Sequence, residues 1–228
     1  MKIGVAIPAY IGHIVPLFKL LDSIQNQTIM PDKVVVSCSS TKDSDFDSYY
    51  EKMKNYTFLL QIITIEEKKN AAQNRNIAAS NLIDMDFLTF IDADDMMHPQ
   101  RIEILLKVFK DHDSDIILHN FFNDITFENI LFNKIDDSVI DIRINSLKQH
   151  CSGCIEHIDY FKYIHEGIHH SQVSVKSEIF NKINFPEEVE FNRKEDCIFC
   201  NRVFNLPDIK NAYIANKLSY YFPSYTDF

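Results

Sequence analysis

The chain has 228 residues, of which 46% are hydrophobic, including 18 Phe and 10 Tyr, enough for one sizeable apolar core. Its net charge of −10 excludes the basic footprint that non-specific nucleic-acid binding needs, but not a nucleotide bridged to carboxylates by a divalent cation. With four glycines in all, the Gly-rich phosphate loops of the dinucleotide and P-loop fingerprints are absent.

KIGVAIP (2–8) is a short apolar run closed by Pro8 and predicts a strand; IVPLFKLLDSIQNQ (14–27) repeats Leu17, Leu20, Leu21 and Ile24 at helical spacing. KVVVS (33–37) predicts a second buried strand, 47–54 a helix, and FLLQIITI (58–65) a third strand. NAAQNRNIAASNLI (70–83) predicts an Ala-rich helix, FLTFI (87–91) a strand, PQRIEILLKVFKDH (99–112) a helix opened by Pro99, and DIILH (115–119) another strand. Beyond 120 the pattern loosens: irregular strands or a hairpin over 121–133, partly helical structure over 143–165, a strand over 169–176 and a short helix over 177–183. A loop (185–196), a helix over 197–204 and a last strand over 211–216 complete the expectation. Alternating strands and helices through 119 imply a mostly parallel sheet covered on both faces, whose ligands bind beyond the carboxyl ends of the strands. Pro8–Tyr10, Ser37–Ser40 and Asp92–Asp95 should therefore share one rim.

Asp92, Asp94 and Asp95 follow a buried strand directly, and like charges so close resist joint ionisation. They suit a hard divalent cation, which takes carboxylate oxygens and keeps water and phosphates as its other ligands; equally, they suit a solvated turn that caps the next helix. The set VAIPAY, LFKLLDSIQNQT, PDKVVVS, NAAQNRNIA, FLTFIDADD and KED, in this order, resembles the family 2 glycosyltransferases of the GT-A fold, most closely over 3–110. The resemblance implies a single GT-A domain over 1–228: a nucleotide-sugar-binding half (1–119) and an acceptor-binding half (120–228). It implies inverting transfer from a nucleotide diphosphate sugar, UDP-linked as the first choice, to a glycan, protein or small-molecule acceptor, with Mn²⁺ or Mg²⁺ as cofactor.

By the same resemblance Asp94 holds the metal, Asp92 contacts ribose or a metal-bound water, and Asp95 shares either task. Pro8, Ala9 and Tyr10 match the place of the nucleotide base, and Arg75 matches an arginine close to the nucleotide. Asp196 matches the catalytic base; its place at a helix start favours the ionised form. Where the family carries an Asp pair after its second strand, this chain has Ser37, Cys38, Ser39 and Ser40, so base recognition falls to hydroxyl and backbone groups. A strand ending in Asp-x-Asp also occurs in phosphohydrolases of the haloacid dehalogenase type, and a non-catalytic nucleotide-sugar-binding protein is a third reading.

His169 or His170 offers a further metal ligand or packs as an ordinary histidine, and His98 is expected to face solvent or the acceptor. Cys151-x-x-Cys154 and Cys197-x-x-Cys200 are either a zinc site or small buried side chains. The aromatic tail from Lys217 is a lid over the donor or a packed terminus. The N-terminus lacks a signal-peptide layout, no apolar run reaches the ~20 residues of a membrane span, and five cysteines suit reduced thiols, so a cytoplasmic protein is expected.

Overall fold

A computed structural model describes residues 1–123, 133–150 and 154–222. The first half alternates as the apolar pattern predicts, with one addition, a two-residue fifth strand: β1 (Ile3–Tyr10), α1 (Ile14–Gln25), β2 (Lys33–Ser39), α2 (Tyr50–Lys54), β3 (Leu59–Ile65), α3 (Ala71–Ser80), β4 (Phe87–Phe90), β5 (Met96–Met97), α4 (Arg101–His112) and β6 (Ile116–Phe122). The second half adds β7 (Ile142–Ile144), β8 (Leu147–Gln149), β9 (Ile155–His157), β10 (Ser174–Lys176), α5 (Ser177–Phe180), α6 (Glu195–Phe204) and β11 (Asn211–Tyr220).

The main sheet runs β3-β2-β1-β4-β10-β6-β11-β5, with β7 also on β11; β8 and β9 form a separate hairpin. Its long pairings, β1 with β2 and β4, β2 with β3, and β6 with β11, are parallel. The short ones, β10 with β4 and β6, and β11 with β5 and β7, are antiparallel. The pleat sends Ile3, Val5, Ile7, Val34 and Val36 into one core layer with α1 and α4, while Ala6, Val35, Phe90 and Val175 enter a second layer with Ala78, Ala79 and Phe199 from α3 and α6. Gly4 belongs to the second layer's side because an added Cβ would come within 2.8 Å of Leu82 and Met85.

The helix starts have local causes. Asn70 caps α3 by accepting from the Gln73 N–H, and Gln73 returns the bond to the Asn70 N–H. Pro99 lies just outside α4, which starts at Arg101, and the His98 carbonyl accepts the Arg101 N–H.

Several expectations change. The stretch 143–165 is partly helical only in expectation: its described residues form β7, β8, β9 and turns, because β7 is claimed by the edge of β11 and β8 by β9. The strand over 169–176 shrinks to β10, preceded by a 3-10 turn at His170–Gln172, and the 47–54 helix is half 3-10, over Asp43–Tyr49. The last strand continues to Tyr220, which takes the start of the aromatic tail into the sheet; Phe222 is also buried. The irregular strands expected over 121–133 fall largely outside the described residues, as do the end of the tail and Cys151. His98 is buried rather than facing solvent, because its ring closes the start of α4: Nδ1 accepts the Gln100 N–H at 3.2 Å, and Nε2 lies 3.1 Å from the Asn133 carbonyl. No helix among the described residues is long and apolar enough to cross a membrane.

Candidate functional site

Beyond the carboxyl ends of β1, β2 and β4 lies a cleft of about 610 Å³, lined among others by Pro8, Ala9, Tyr10, Ser39, Lys68, Lys69, Asn74, Arg75, Asp92, Asp94 and Glu195. Parallel strands all end on this side, which is where such sheets leave a crevice. Asn74, on α3, ties the rim together: its Nδ2 donates to the Ala9 carbonyl (3.0 Å) and Ser39 Oγ (3.1 Å), and its Oδ1 accepts from Ser37 Oγ (2.9 Å). Ser37 thus supports the rim from below. Cys38, on the opposite face of the same strand, sits in the apolar core with Val34 and Val36 and does not line the cleft.

The acidic turn after β4 is divided three ways. Arg75, almost fully buried, donates to Asp92 Oδ1 and to Glu195 Oε1, each at 2.7 Å. Burial alone would push the Asp92 carboxyl up; the Arg75 guanidinium outweighs it and holds Asp92 below the usual carboxylate range. Asp94 lines the cleft but has no such partner. Burial, then the charge of Asp92, pushes its carboxyl up to about 7, and its buried Oδ2 has no hydrogen-bond partner. Asp95 turns inward: Oδ2 accepts from Gln172 Nε2 at 2.5 Å and Oδ1 from the Phe222 N–H at 3.3 Å, and burial followed by Asp92 and Asp94 pushes its carboxyl well up. The crowding of three carboxylates is relieved by giving one a guanidinium, burying one against amides, and leaving one open to the cleft.

Glu195 and Asp196 also separate. Glu195 takes the Arg75 bond, and its second oxygen, Oε2, is buried without a partner. Asp196, in the first turn of α6, accepts the free N–H of the next residue, Cys197, on Oδ1; it is not the helix cap, which is Lys194. Yet its carboxyl lies above the usual range rather than below it, because burial outweighs the pull of Arg75 and His170. The helix start is present; desolvation is stronger. Arg75 feels Asp92, Asp196 and Glu195 together, and these raise its affinity for the proton against its own burial. One guanidinium therefore links the acidic turn to the acidic start of α6.

Composition and spacing give no sign of four residues here. Lys68 and Lys69 bring positive charge to the cleft, Asn74 fixes its rim, and His13 sits edge-on to the Tyr10 ring with centroids 4.1 Å apart. Only the capping pattern at Asn70, which sets the start of α3 and hence the positions of Asn74 and Arg75, was readable locally. His169 lies beside the inward-facing Asp95, 3.7 Å from its Oδ2, and burial lowers its pKa to about 3, so it is a neutral packed side chain.

The sequence profile described as glycosyl transferase family 2 matches residues 5–163. The chain is 33% identical over 114 residues to the O-antigen chain rhamnosyltransferase RfbN of Salmonella typhimurium, a match covering 49% of this chain and 34% of that protein. It is 30% identical over 124 residues to the glycosyltransferase GlyA of Streptococcus pneumoniae, covering 54% and 17% respectively. Among solved structures it superposes on S. aureus TarS 1–349 in complex with UDP, with a TM-score of 0.69, 18% identity, and coverage of 97% of this chain and 60% of that one. The complex of the same protein with UDP-GlcNAc gives a TM-score of 0.68 at 19% identity, covering 97% and 58%. The chain thus spans about a third or less of the curated relatives and about three-fifths of the solved ones. On this match and this architecture, the chain belongs to glycosyl transferase family 2 and has the GT-A fold.

Proposed function

We propose that this chain is an inverting, metal-dependent glycosyltransferase whose donor is a nucleotide diphosphate sugar, with uridine the first base to test and guanosine and thymidine next. The observation that carries the reading is Asp94: a buried carboxylate on the cleft wall whose Oδ2 has no protein partner, beside an Asp92 already committed to Arg75. Oxygen donors of this kind fit Mn²⁺ or Mg²⁺, with Asp94 and Asp92 as the residues that would hold it. When bound, the cation supplies Lewis acidity to the departing diphosphate. Asp95, tied to Gln172 and Phe222, supports the turn rather than the cation.

The remaining tasks fall to this chain's own groups. Pro8, Ala9, Tyr10 and Ser39 offer backbone and hydroxyl contacts for the base, with Ser37 acting only through Asn74 and Cys38 taking no part, and Lys68 and Lys69 draw the phosphates in. Asp196 takes the proton of the acceptor hydroxyl on Oδ2, its Oδ1 being held by Cys197; a raised pKa makes it the stronger base. The hydroxyl attacks from the face opposite the leaving diphosphate, which inverts the anomeric centre. Donor binding belongs to 1–119 and acceptor binding to 120–228. TarS was solved with UDP and UDP-GlcNAc, which supports a uridine donor.

The test is a melting-temperature screen against nucleotide sugars, with Mn²⁺ and with chelator, because a ligand specific for the native state at 100 times its Kd adds about 2.7 kcal/mol. Asp94→Ala should lose the metal-dependent shift. Asp196→Asn should keep it while turnover falls roughly 10²–10⁴-fold. A donor shift that ignores the chelator removes the metal, and unchanged turnover in Asp196→Asn removes the base. Binding without transfer to any acceptor would leave a nucleotide-sugar-binding protein.

A further inference from the structure

Beside α6, and outside the cleft lining, three side chains from separate segments meet: Cys154 just ahead of β9, His170 in the turn before β10, and Cys197 in the first turn of α6. One ligand atom from each lies within 4.8 Å of the other two. The sulfurs of Cys154 and Cys197, 43 residues apart in the chain, approach to 2.6 Å. His170 Nε2 accepts the Ile155 N–H at 3.0 Å, so the unprotonated nitrogen of the ring faces the residue next to Cys154. Cys200, one turn further along α6 and buried, has its sulfur 3.8 Å from the His170 carbonyl. All four described cysteines are free thiols.

We propose that Cys154, His170 and Cys197 form a structural zinc site, with Cys200 the residue placed to complete a tetrahedron. Two or three sulfurs and one imidazole nitrogen suit zinc, whereas the oxygen-lined cleft suits a hard cation, so the two sites select different metals. The C-x-x-C spacing at Cys197 and Cys200 puts both sulfurs on one helix face. A disulfide between Cys154 and Cys197 would account for the approach of the two sulfurs but not for the convergence of the His170 ring nitrogen on the same point. On binding, each thiol gives its proton to water and the thiolate donates its electron pair to zinc; His170 exchanges its Ile155 bond for the metal. The consequence is mechanical. The β8–β9 hairpin and the turn before β10 become fastened to the start of α6, one residue from Asp196. The inference stands whether or not the chain transfers a sugar.

The experiment titrates reduced, chelator-stripped protein with Co²⁺. A thiolate-to-cobalt charge-transfer band should rise, saturate at one equivalent and disappear when Zn²⁺ is added, and it should be unaltered in Asp94→Ala, since carboxylates give no such band. Cys154→Ser and Cys197→Ser should each weaken Zn²⁺ binding at least about tenfold, and His170→Asn should shift the band. Absence of a thiolate band in the reduced protein overturns the site, as does a band that survives the double Cys154→Ser/Cys197→Ser variant. Isolation of a cross-linked Cys154–Cys197 peptide from protein that takes up no cobalt also overturns it. Should the variants fail to fold, the stoichiometry and zinc displacement of the wild-type band still decide.

Discussion

Two arginines are buried on either side of the acidic turn, and their surroundings have opposite effects. Arg75, on the cleft side, bonds to Asp92 and Glu195 and feels Asp196, so its proton is held more tightly than usual despite burial. Arg101, on the core side, bonds to Gln172 Oε1, the carbonyls of Phe90 and Gln172, and Thr89 Oγ1, all neutral; burial lowers its pKa to about 9, with Asp95 pulling the other way. The same side chain is in one place the centre of an ionic network and in the other a donor to dipoles. The difference locates function: charge is concentrated where a charged ligand could enter and diluted where only the fold must be held.

The comparison breaks most sharply by deleting each guanidinium. Arg75→Met leaves Asp92 and Glu195 without their cation and should cost about 3–5 kcal/mol of stability, with activity lost as well. Arg101→Met leaves neutral acceptors unpaired and removes a costly buried charge, so about 1–3 kcal/mol is expected. Denaturant titrations of both variants check the order. If Arg101→Met proves the more damaging, the division into an ionic cleft and a dipolar core is wrong.

How much of this could be read in advance follows from the same contrast. Apart from the two-residue β5, the strands through β6 were legible because a parallel strand buried on both faces reads as a nearly continuous apolar run, as Ile3–Ile7, Val34–Val36 and, but for Thr89, Phe87–Phe90 do. β10 is antiparallel, three residues long and inserted between β4 and β6 from a distant part of the chain; the alternation over 169–176 announces a strand, but nothing local gives its length or its place in the sheet. Arg101 was invisible for that reason: in PQRIEILL it takes the place of a solvated helix residue, yet Gln172 and Thr89 from the β10–β4 side enclose it. Cys38 is the reverse case. Its alternation with Ser37 and Ser39 already sends it to the core face, so the pleat could have removed it from the rim. Asp94 and Asp95 are adjacent and identical in sequence. The positions of Gln172 and Phe222, both far along the chain, decide which one turns away from the cleft.

A smaller effect sharpens the Asp94 side of the contrast. Its carboxyl is raised from 3.8 to about 7 in the folded protein, so the native state binds more protons than the unfolded chain between those values. The contribution to stability is therefore fully present below about pH 4 and is lost as pH rises through about 7. In chelator, the wild type should lose melting temperature relative to Asp94→Asn as pH climbs across that window. Added Mn²⁺ takes the proton's place and should flatten the difference. Parallel curves for the two proteins would show that Asp94 is not the strained carboxylate of the cleft.

The smallest effect concerns an ionic cluster that faces open water. Asp113, which ends α4 in a left-handed conformation (φ 48°), accepts hydrogen bonds from Lys176 Nζ at 2.8 Å and Lys210 Nζ at 2.7 Å. These bonds lower its carboxyl from 3.8 to about 2, so its contribution is present above about pH 4 and is lost as pH falls towards about 2, opposite in sign to Asp94. The side chain is exposed, so water and salt screen the pair and the effect on stability should be near the limit of measurement at neutral pH. Asp113→Asn keeps a residue that tolerates the left-handed turn and removes only the charge. Its melting temperature should match the wild type at pH 7 in moderate salt and fall slightly below it in low salt. A loss as large as that of Arg75→Met would mean that solvent exposure does not separate the two clusters, and the contrast between a cleft that concentrates charge and a surface that disperses it would have to be given up.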